Sequence, residues 1–344
     1  MKISFIIPAY NVQSAVCYCL ESILPLLYSG HELVLIDDGS TDGTAQTVHD
    51  FIKAENVQNA IVLSQTNAGQ SAARNKGVQM ATGDYIWFID ADDYIDISEA
   101  HQVIALAERA IASGRSIDAV VFGLQLNQRD RIIPNPILQD AYYNTGINYF
   151  CQSNINGTFR TYPVNKLFRT ALVRDLNLAF PCGRIYEDMQ WNLQYFLQCG
   201  QVLQLALNPY HYVLNNANSS TCPTRIQTRD FQALTAVEEA TSWFKEQGLR
   251  TKTAETAFQI LIFTFLSSCL LKKYIPLSFS HPETIEYVRQ TMQHPLFRKA
   301  VRNCVLHPSI GLRRWGMALC ICFSPRLSRH IIYRMIKQSL IPTI

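Results

Sequence analysis

WFIDADDYI, residues Trp87–Ile95, sets an apolar run directly against three carboxylates, Asp90, Asp92 and Asp93. The run Tyr85–Ile89 has the aromatic and β-branched character of a buried strand. Carboxylates this close raise one another's pKa unless a positive charge stands against them. The strand therefore has to end where a counter-charge is available, and the surrounding chain says what kind of sheet it belongs to.

Upstream, strand and helix signals alternate. Ile3–Ile7 is a short β-rich run stopped by Pro8. Val16, Leu20, Ile23, Leu24 and Leu27 then fall on one helical face, with Pro25 marking the expected end. ELVLIDD (Glu32–Asp38) is the second strand, and GSTDGT is its turn, where Thr41 or Asp42 caps a helix running toward Ala54. Ala60–Ser64 is the third strand, and Gly83 precedes the fourth. This alternation predicts a parallel sheet covered on both faces. A helix over Ser98–Ser113 and a strand over Ala119–Phe122 follow, and Pro134, Pro136, Asn144 and Gly146 make Asn127–Gly146 a loop-rich excursion. Helical patterns return at Lys166–Arg174 and Asp188–Leu197, and two helices parted near Gly248 are expected between Asp230 and Tyr274. Charge balance and periodicity both change near Thr221–Thr228, the expected boundary between two regions.

The chain has 344 residues, 48% apolar and 17% charged, which supports a large buried core and excludes a disordered chain. Its ten cysteines form no CxxC pair and have no histidine cluster at zinc spacing, so they read as free thiols in a reducing compartment. The apolar run before Pro8 is too short for an export signal. The longest apolar stretch, Ala257–Leu271, is broken by Gln259, Thr264, Ser267 and Ser268 and reads as a buried helix. A cytoplasmic protein is expected. Residues 1–228 carry 14 Lys+Arg against 20 Asp+Glu, whereas residues 229–344 carry 16 against 7. After Glu286 there are ten basic residues and no acid, interleaved with apolar side chains. That pattern suits an anionic membrane surface better than nucleic acid; the plainer alternative is a solvated basic face of a helical appendage.

In an open α/β sheet, ligands sit beyond the carboxyl ends of the strands. PAYN (Pro8–Asn11), DDGS (Asp37–Ser40) and DADD (Asp90–Asp93) all fall at such ends and should face one crevice. The first strand is not followed by GxGxxG, and no GxxxxGK[ST] occurs, which disfavours dinucleotide redox chemistry and P-loop chemistry. Oxygen ligands of the DADD type suit Mg²⁺ or Mn²⁺, with waters and substrate phosphates completing the shell.

SFIIPAYNVQSAVCYCLESIL, LVLIDDGSTDGT and NAGQSAARNKGVQMATGDYIWFIDADD, in that order, resemble the family 2 glycosyltransferases over residues 3–95. NKLF (Asn165–Phe168), YED (Tyr186–Asp188) and YHY…SST (Tyr210–Thr221) resemble the family's acceptor half. The resemblance implies an α/β GT-A fold: a mostly parallel twisted sheet flanked by helices, with a helical C-terminal appendage. Residues 1–225 would form the catalytic domain, 1–95 holding the nucleotide-sugar and 96–225 the acceptor, and residues 226–344 a basic helical region. It implies an inverting, metal-dependent enzyme that moves a hexose or N-acetylhexosamine, from a UDP-sugar by expectation, to a glycan or lipid-linked oligosaccharide. The setting implied is bacterial surface polysaccharide synthesis at the inner face of the cell membrane.

Residue by residue, the resemblance makes Asp92 the main ligand of Mg²⁺ or Mn²⁺, assisted by Asp90, with Asp93 free to cap the next helix. Asp38 would read the base, and Pro8, Ala9, Tyr10 and Asn11 would line its pocket, Tyr10 by stacking; Ala91 would touch the donor beside Asp90. One of Asp37 and Asp38 is expected to serve only as a turn former. Asn67, Gly69 and Arg74 surround a helix N-terminus, a natural anion site. Arg74 would meet the donor, pair with Asp90 or Asp92, or simply pack. Asp188 would be the general base and Glu187 its orienting neighbour. His211 is a candidate metal or phosphate contact or a packed core residue, and Asn218–Thr221 a loop over the diphosphate. Trp87 and Phe88 read as core, and Trp191 as core or, alternatively, a platform for the sugar. The competing readings are transfer to a polyprenyl phosphate, which needs no base, and a catalytically silent sugar-nucleotide-binding scaffold.

Overall fold

Strand β1, Ile3–Ala9, is buried along its whole length. The computed structural model describes residues 1–128, 131–135, 139–214, 232–248, 251–270 and 283–323. β1 pairs in parallel with β2 (Glu32–Asp37) on one side and β4 (Tyr85–Phe88) on the other, and β2 pairs in parallel with β3 (Ala60–Ser64). Helix α1 (Val16–Tyr28) buries Val16, Leu20, Ile23 and Leu27 in the cluster that holds Phe5, Leu33 and Trp87. α2 (Thr44–Ala54) follows β2, and α3 (Gln70–Met80) approaches β1 so closely that a Cβ on Gly77 would stand 2.4 Å from Ile6 Cγ2.

The sheet then becomes mixed. β5 (Tyr94–Ile95) and α4 (Ile97–Ala112) lead into the long β6 (Ile117–Gln128), and β10 (Gln201–Val213) runs parallel to β6. β9 (Lys166–Arg169) fits antiparallel between β4 and β6, giving the order β3-β2-β1-β4-β9-β6-β10-β5. Two short strands, β7 (Arg131–Asn135) and β8 (Ala141–Tyr143), add to β6 and β10.

Three expectations are corrected here. α1 continues through Pro25 to Tyr28, because Leu26 and Leu27 are buried and hold the last turn helical. Lys166–Arg174 is a strand followed by the short helix α6 (Thr170–Asp175): Lys166, Leu167 and Phe168 are buried between two strands, and ladder pairing overrides helical periodicity. The expected excursion Asn127–Gly146 contains β7 and β8. The predicted helix near Asp188 is α7 (Glu187–Phe196), and the expected boundary at 221–228 lies outside the described residues.

By contact density the chain divides into Met1–Gly146 with Thr161–Arg225, and Ile147–Arg160 with Ile226–Ile344. In the second unit α5 (Gly146–Asn156) ends under Arg314, whose guanidinium donates to the carbonyls of Asn154, at 2.6 Å, and Ile155. α8 (Ala233–Glu246) and α9 (Lys252–Cys269) part at Gly248, as expected, and stack Phe244 on Phe258 at 4.2 Å. α10 (Glu283–Gln293), α11 (Pro295–Leu306) and α12 (Leu312–Phe323) follow. Among the described residues no helix is long and apolar enough to cross a membrane.

Candidate active site

The carboxyl ends of β1, β2 and β4 lie side by side, so PAYN, DDGS and DADD meet at one edge of the sheet. Asp38 follows β2 and is buried, and its carboxylate accepts from Gln65 Nε2 (2.7 Å), Ala68 N (2.9 Å) and Gly69 N (2.8 Å). Asp37 is the turn former of the pair, its Oδ1 accepting from Ser40 N at 3.2 Å. Asn11 adopts φ 51° and its side-chain oxygen takes Thr41 N at 2.8 Å, stitching the first loop to the second. The N-cap of α2 is Gly43, not the expected Thr41 or Asp42, and Asp42 just before it accepts from Thr44 N at 2.9 Å. Gly39, at φ 73°, lets this loop approach the third: a Cβ there would stand 2.8 Å from Asn67 N. Gly69, at φ 89°, opens α3 in a conformation that L side chains rarely adopt. Pro8 and Ala9 are buried within β1, while Tyr10, just beyond, is 47% exposed.

The DADD turn is fixed from two sides. Arg74 projects from α3, 3% exposed, and bonds Asp90 at 2.7 Å and Glu187 at 3.1 Å, with its guanidinium 5.3 Å from the Phe180 ring centre. Gln70 adds a bond to Asp90 at 2.9 Å. The counter-charge that the acidic cluster demands is thus partly supplied by the chain itself. From β10, the Tyr210 hydroxyl donates to Asp93 Oδ2 at 2.5 Å and accepts from Asp90 N at 3.1 Å, and Val213 N donates to Asp93 Oδ1 at 2.8 Å. Burial, Asp90 and Asp92 push the Asp93 carboxyl well above its usual range, against these two bonds. Asp93 is therefore a buried anchor and not a helix cap; Asp96 caps α4, accepting from Glu99 N at 2.9 Å.

Asp92 is half-buried and Ala91 buried beneath it. No cluster of three or more His, Cys, Asp or Glu side chains at metal-holding distance occurs among the described residues. With Asp93 committed to Tyr210, the chain offers an ion Asp92 and Asp90. A pair of carboxylates matches the habit of Mg²⁺ and Mn²⁺, which keep waters and take substrate phosphates.

Glu187 and Asp188 form the first turn of α7, entered through Tyr186 at φ 67°, a left-handed conformation costly for a bulky residue. The preceding loop is held by Asn75, whose amide donates to Phe180 O at 2.8 Å and accepts from Phe180 N at 2.7 Å. Phe180 in turn stacks on buried Trp191 at 4.1 Å. Burial first, then the charge of Glu187, raise Asp188 to about 7 against the pull of Arg74.

Arg74 thus joins the DADD and ED motifs directly. His211 packs as a core residue, stacked on Tyr94 at 4.4 Å, and burial lowers its pKa. Trp87, Phe88 and Trp191 are core, and Asn218–Thr221 lie outside the described residues. Sequence reasoning missed Asn75 and Phe180, and it quoted Tyr210 within YHY without giving it a role. Asn75 adjoins Arg74, but nothing in the spacing of Phe180 or Tyr210 announces a role.

Residues 4–168 match the model of glycosyl transferase family 2. EpsJ of Bacillus subtilis, an uncharacterized glycosyltransferase, is 26% identical over 93% of this chain and 92% of its own. The crystal structure of S. aureus TarS residues 1–349 with UDP-GlcNAc superposes with a TM-score of 0.63 at 20% identity, over 99% of this chain and 91% of that one. A mannosyltransferase of Pyrobaculum calidifontis, bound to GDP-Man and Mn²⁺, reaches 0.50 at 14% identity, over 98% and 87%. These structures share the fold, a GT-A α/β fold with a helical C-terminal region. Residues 4–168 thus match glycosyl transferase family 2, and together with these glycosyltransferase relatives that match supports a glycosyltransferase of this family.

Proposed function

We propose that the protein is an inverting, metal-dependent transferase that moves a hexose or N-acetylhexosamine from a UDP-sugar to a hydroxyl of a glycan or lipid-linked oligosaccharide, in bacterial surface polysaccharide synthesis. The observation that carries this reading is the Arg74 bridge, which sets the acidic turn and the Glu187-Asp188 pair around one guanidinium. Tyr10 offers a stacking face for the base. Three donors already occupy Asp38, leaving room on a carboxylate of about four lone-pair sites for one more, the N3–H of uracil. Asp92 and Asp90 would hold Mg²⁺ or Mn²⁺, which when bound would neutralise the charge on the departing diphosphate. Gly69 and the first turn of α3 face the same anion.

Asp188, raised to about 7, is half-deprotonated near neutrality, the condition that suits a general base taking the acceptor hydroxyl's proton. Arg74 keeps that carboxylate from rising further and Glu187 fixed beside it. Attack by the hydroxyl from the face opposite the leaving diphosphate inverts the anomeric centre, and no enzyme nucleophile is needed. The UDP-GlcNAc bound by TarS supports a UDP-sugar, and the GDP-Man of the archaeal enzyme is the competing donor. The basic C-terminal region would hold the protein at the anionic inner face of the membrane, where a lipid-linked acceptor resides.

Calorimetry against UDP, GDP and dTDP, with and without Mn²⁺, tests the donor and the metal together. UDP binding that needs both Mn²⁺ and Asp92, and is lost in Asp92→Ala, is the expected result. Binding of GDP alone would replace the donor, and no nucleotide binding at all would overturn the reading.

A further inference from the structure

The two most exposed large apolar side chains among the described residues are Leu306, 76% exposed, and Leu312, 81% exposed. They flank one turn. α11 buries Phe297, Ala300, Val301 and Cys304, so its opposite face carries Arg298, Lys299, Arg302 and Leu306, all exposed. Arg298, Arg302 and Leu306 succeed one another at four-residue intervals and form a single row on that face. A 3₁₀ turn, Pro308–Ile310, continues from its end, anchored by buried Ile310. Gly311, at φ 93°, reverses the chain with a conformation that favours glycine and presents Leu312 beside the turn.

The charge on this face is of one sign. No acid follows Glu286 in the sequence, and Glu238 reaches α11 only at its start, through His294 at 3.1 Å. Arg314 is not part of the surface, because its guanidinium is spent on the end of α5.

We propose that Arg298, Lys299 and Arg302 with Leu306 and Leu312 form the foot by which this unit sits on an anionic bilayer, the bases among the headgroups and the leucines inserted below them. The proposal rests on the membrane reading above and gives it residues. A row of bases ending in two solvent-facing leucines is the amphipathic pattern of an interfacial element. A nucleic-acid phosphate backbone would satisfy the bases and leave both leucines in water, and a bare solvated face would not need them there.

The test uses full-length protein and sedimentation with vesicles of phosphatidylglycerol and phosphatidylcholine, against phosphatidylcholine alone. Binding to the anionic vesicles only is expected. Each basic group near the surface contributes about 1 kcal/mol, roughly fivefold in partition, so Arg298→Gln/Lys299→Gln/Arg302→Gln together should lower binding on the order of a hundredfold. Leu306→Gln/Leu312→Gln should weaken it by a component that 0.5 M salt does not remove, roughly the salt concentration at which headgroup attraction is screened. Nucleotide calorimetry should be unchanged in both variants, which separates failure of the foot from failure of the donor reading. Absence of vesicle binding, undiminished binding in either variant, or tighter binding of a duplex oligonucleotide than of vesicles would each overturn the proposal.

Discussion

Arg74→Met removes the cation that, among the described residues, bonds both acidic motifs. Arg74 is 3% exposed, and the carboxylates it holds, Asp90 and Glu187, are 21% and 13% exposed at their side chains. Removing one partner of a buried pair costs about 3–5 kcal/mol, because the remaining charge is left uncompensated. The partial exposure of both carboxylates places this case at the low end, about 3 kcal/mol, and loss of the contact with Phe180 adds roughly 0.5–1 kcal/mol. Methionine keeps the apolar stem, so a packing defect contributes little. Urea unfolding of the variant and wild type at pH 7.5, a pH chosen as roughly that of the cell, measures the loss. A cycle with Glu187→Gln isolates the pair and should return a coupling of about 1–2 kcal/mol. There is a second readout. Arg74 pulls the Asp188 pKa down, so its removal raises that pKa further above about 7, and the acid limb of the transfer rate moves to higher pH. A destabilisation under about 1 kcal/mol together with an unmoved acid limb would refute the bridge as an energetic unit.

Asp188→Asn should abolish transfer while leaving nucleotide binding intact. Because the folded carboxyl titrates near 7, above its unfolded value, wild-type stability falls as pH rises from about 4 through 7; thermal melts should show the variant gaining on wild type at pH 8, and equal pH profiles would remove the base assignment. Tyr210→Phe deletes the donor to Asp93 and the acceptor of Asp90 N–H, a loss of about 2–3 kcal/mol in unfolding; calorimetry should also show weakened Mn²⁺-dependent nucleotide binding, and unchanged affinity would show that the turn holds its shape without this hydroxyl. At the opposite end of the sheet, burial raises the Glu32 pKa, but bonds from Lys2, Ser4 and Thr82 overcome it and bring it to about 2. That stability, about 2–3 kcal/mol, is present above pH ~4.5 and lost as pH falls toward 2. Glu32→Gln should lower the melting temperature at pH 7 and flatten the acid side of the profile; an unaltered acid side would assign acid unfolding elsewhere.

The first 95 residues were legible in the sequence because their evidence is local. Strands of four to seven residues alternate with amphipathic helices, and the charged loops follow the strands immediately, so order alone places PAYN, DDGS and DADD on one edge. The residues after the fourth strand were less legible. KLFR has a helix-like apolar pattern and becomes a strand only because β4 and β6 flank it. The role of Asp93 depends on Tyr210, 117 positions away, and no local signal connects them. Arg74 was legible as a charge near the site, but its second partner, Glu187, lies 113 residues on, and only the folded chain brings the two motifs under one side chain.

The clamp of β10 on the acidic turn bears on the order in which the chain acquires function during synthesis. Asp93 and the amide of Asp90 find their partners in Tyr210 and Val213, so the turn at residue 90 stays unfinished until strand β10 has emerged and joined the sheet. Contacts of such sequence separation form late, after the entropy of closing a long loop has been overcome. Residues 4–168, which match the family model, stop short of that strand. A nascent chain of that length would carry the DADD motif but not the strand that fixes it. Metal-dependent donor binding by a nascent chain is therefore expected to strengthen once β10 is made and has joined the sheet.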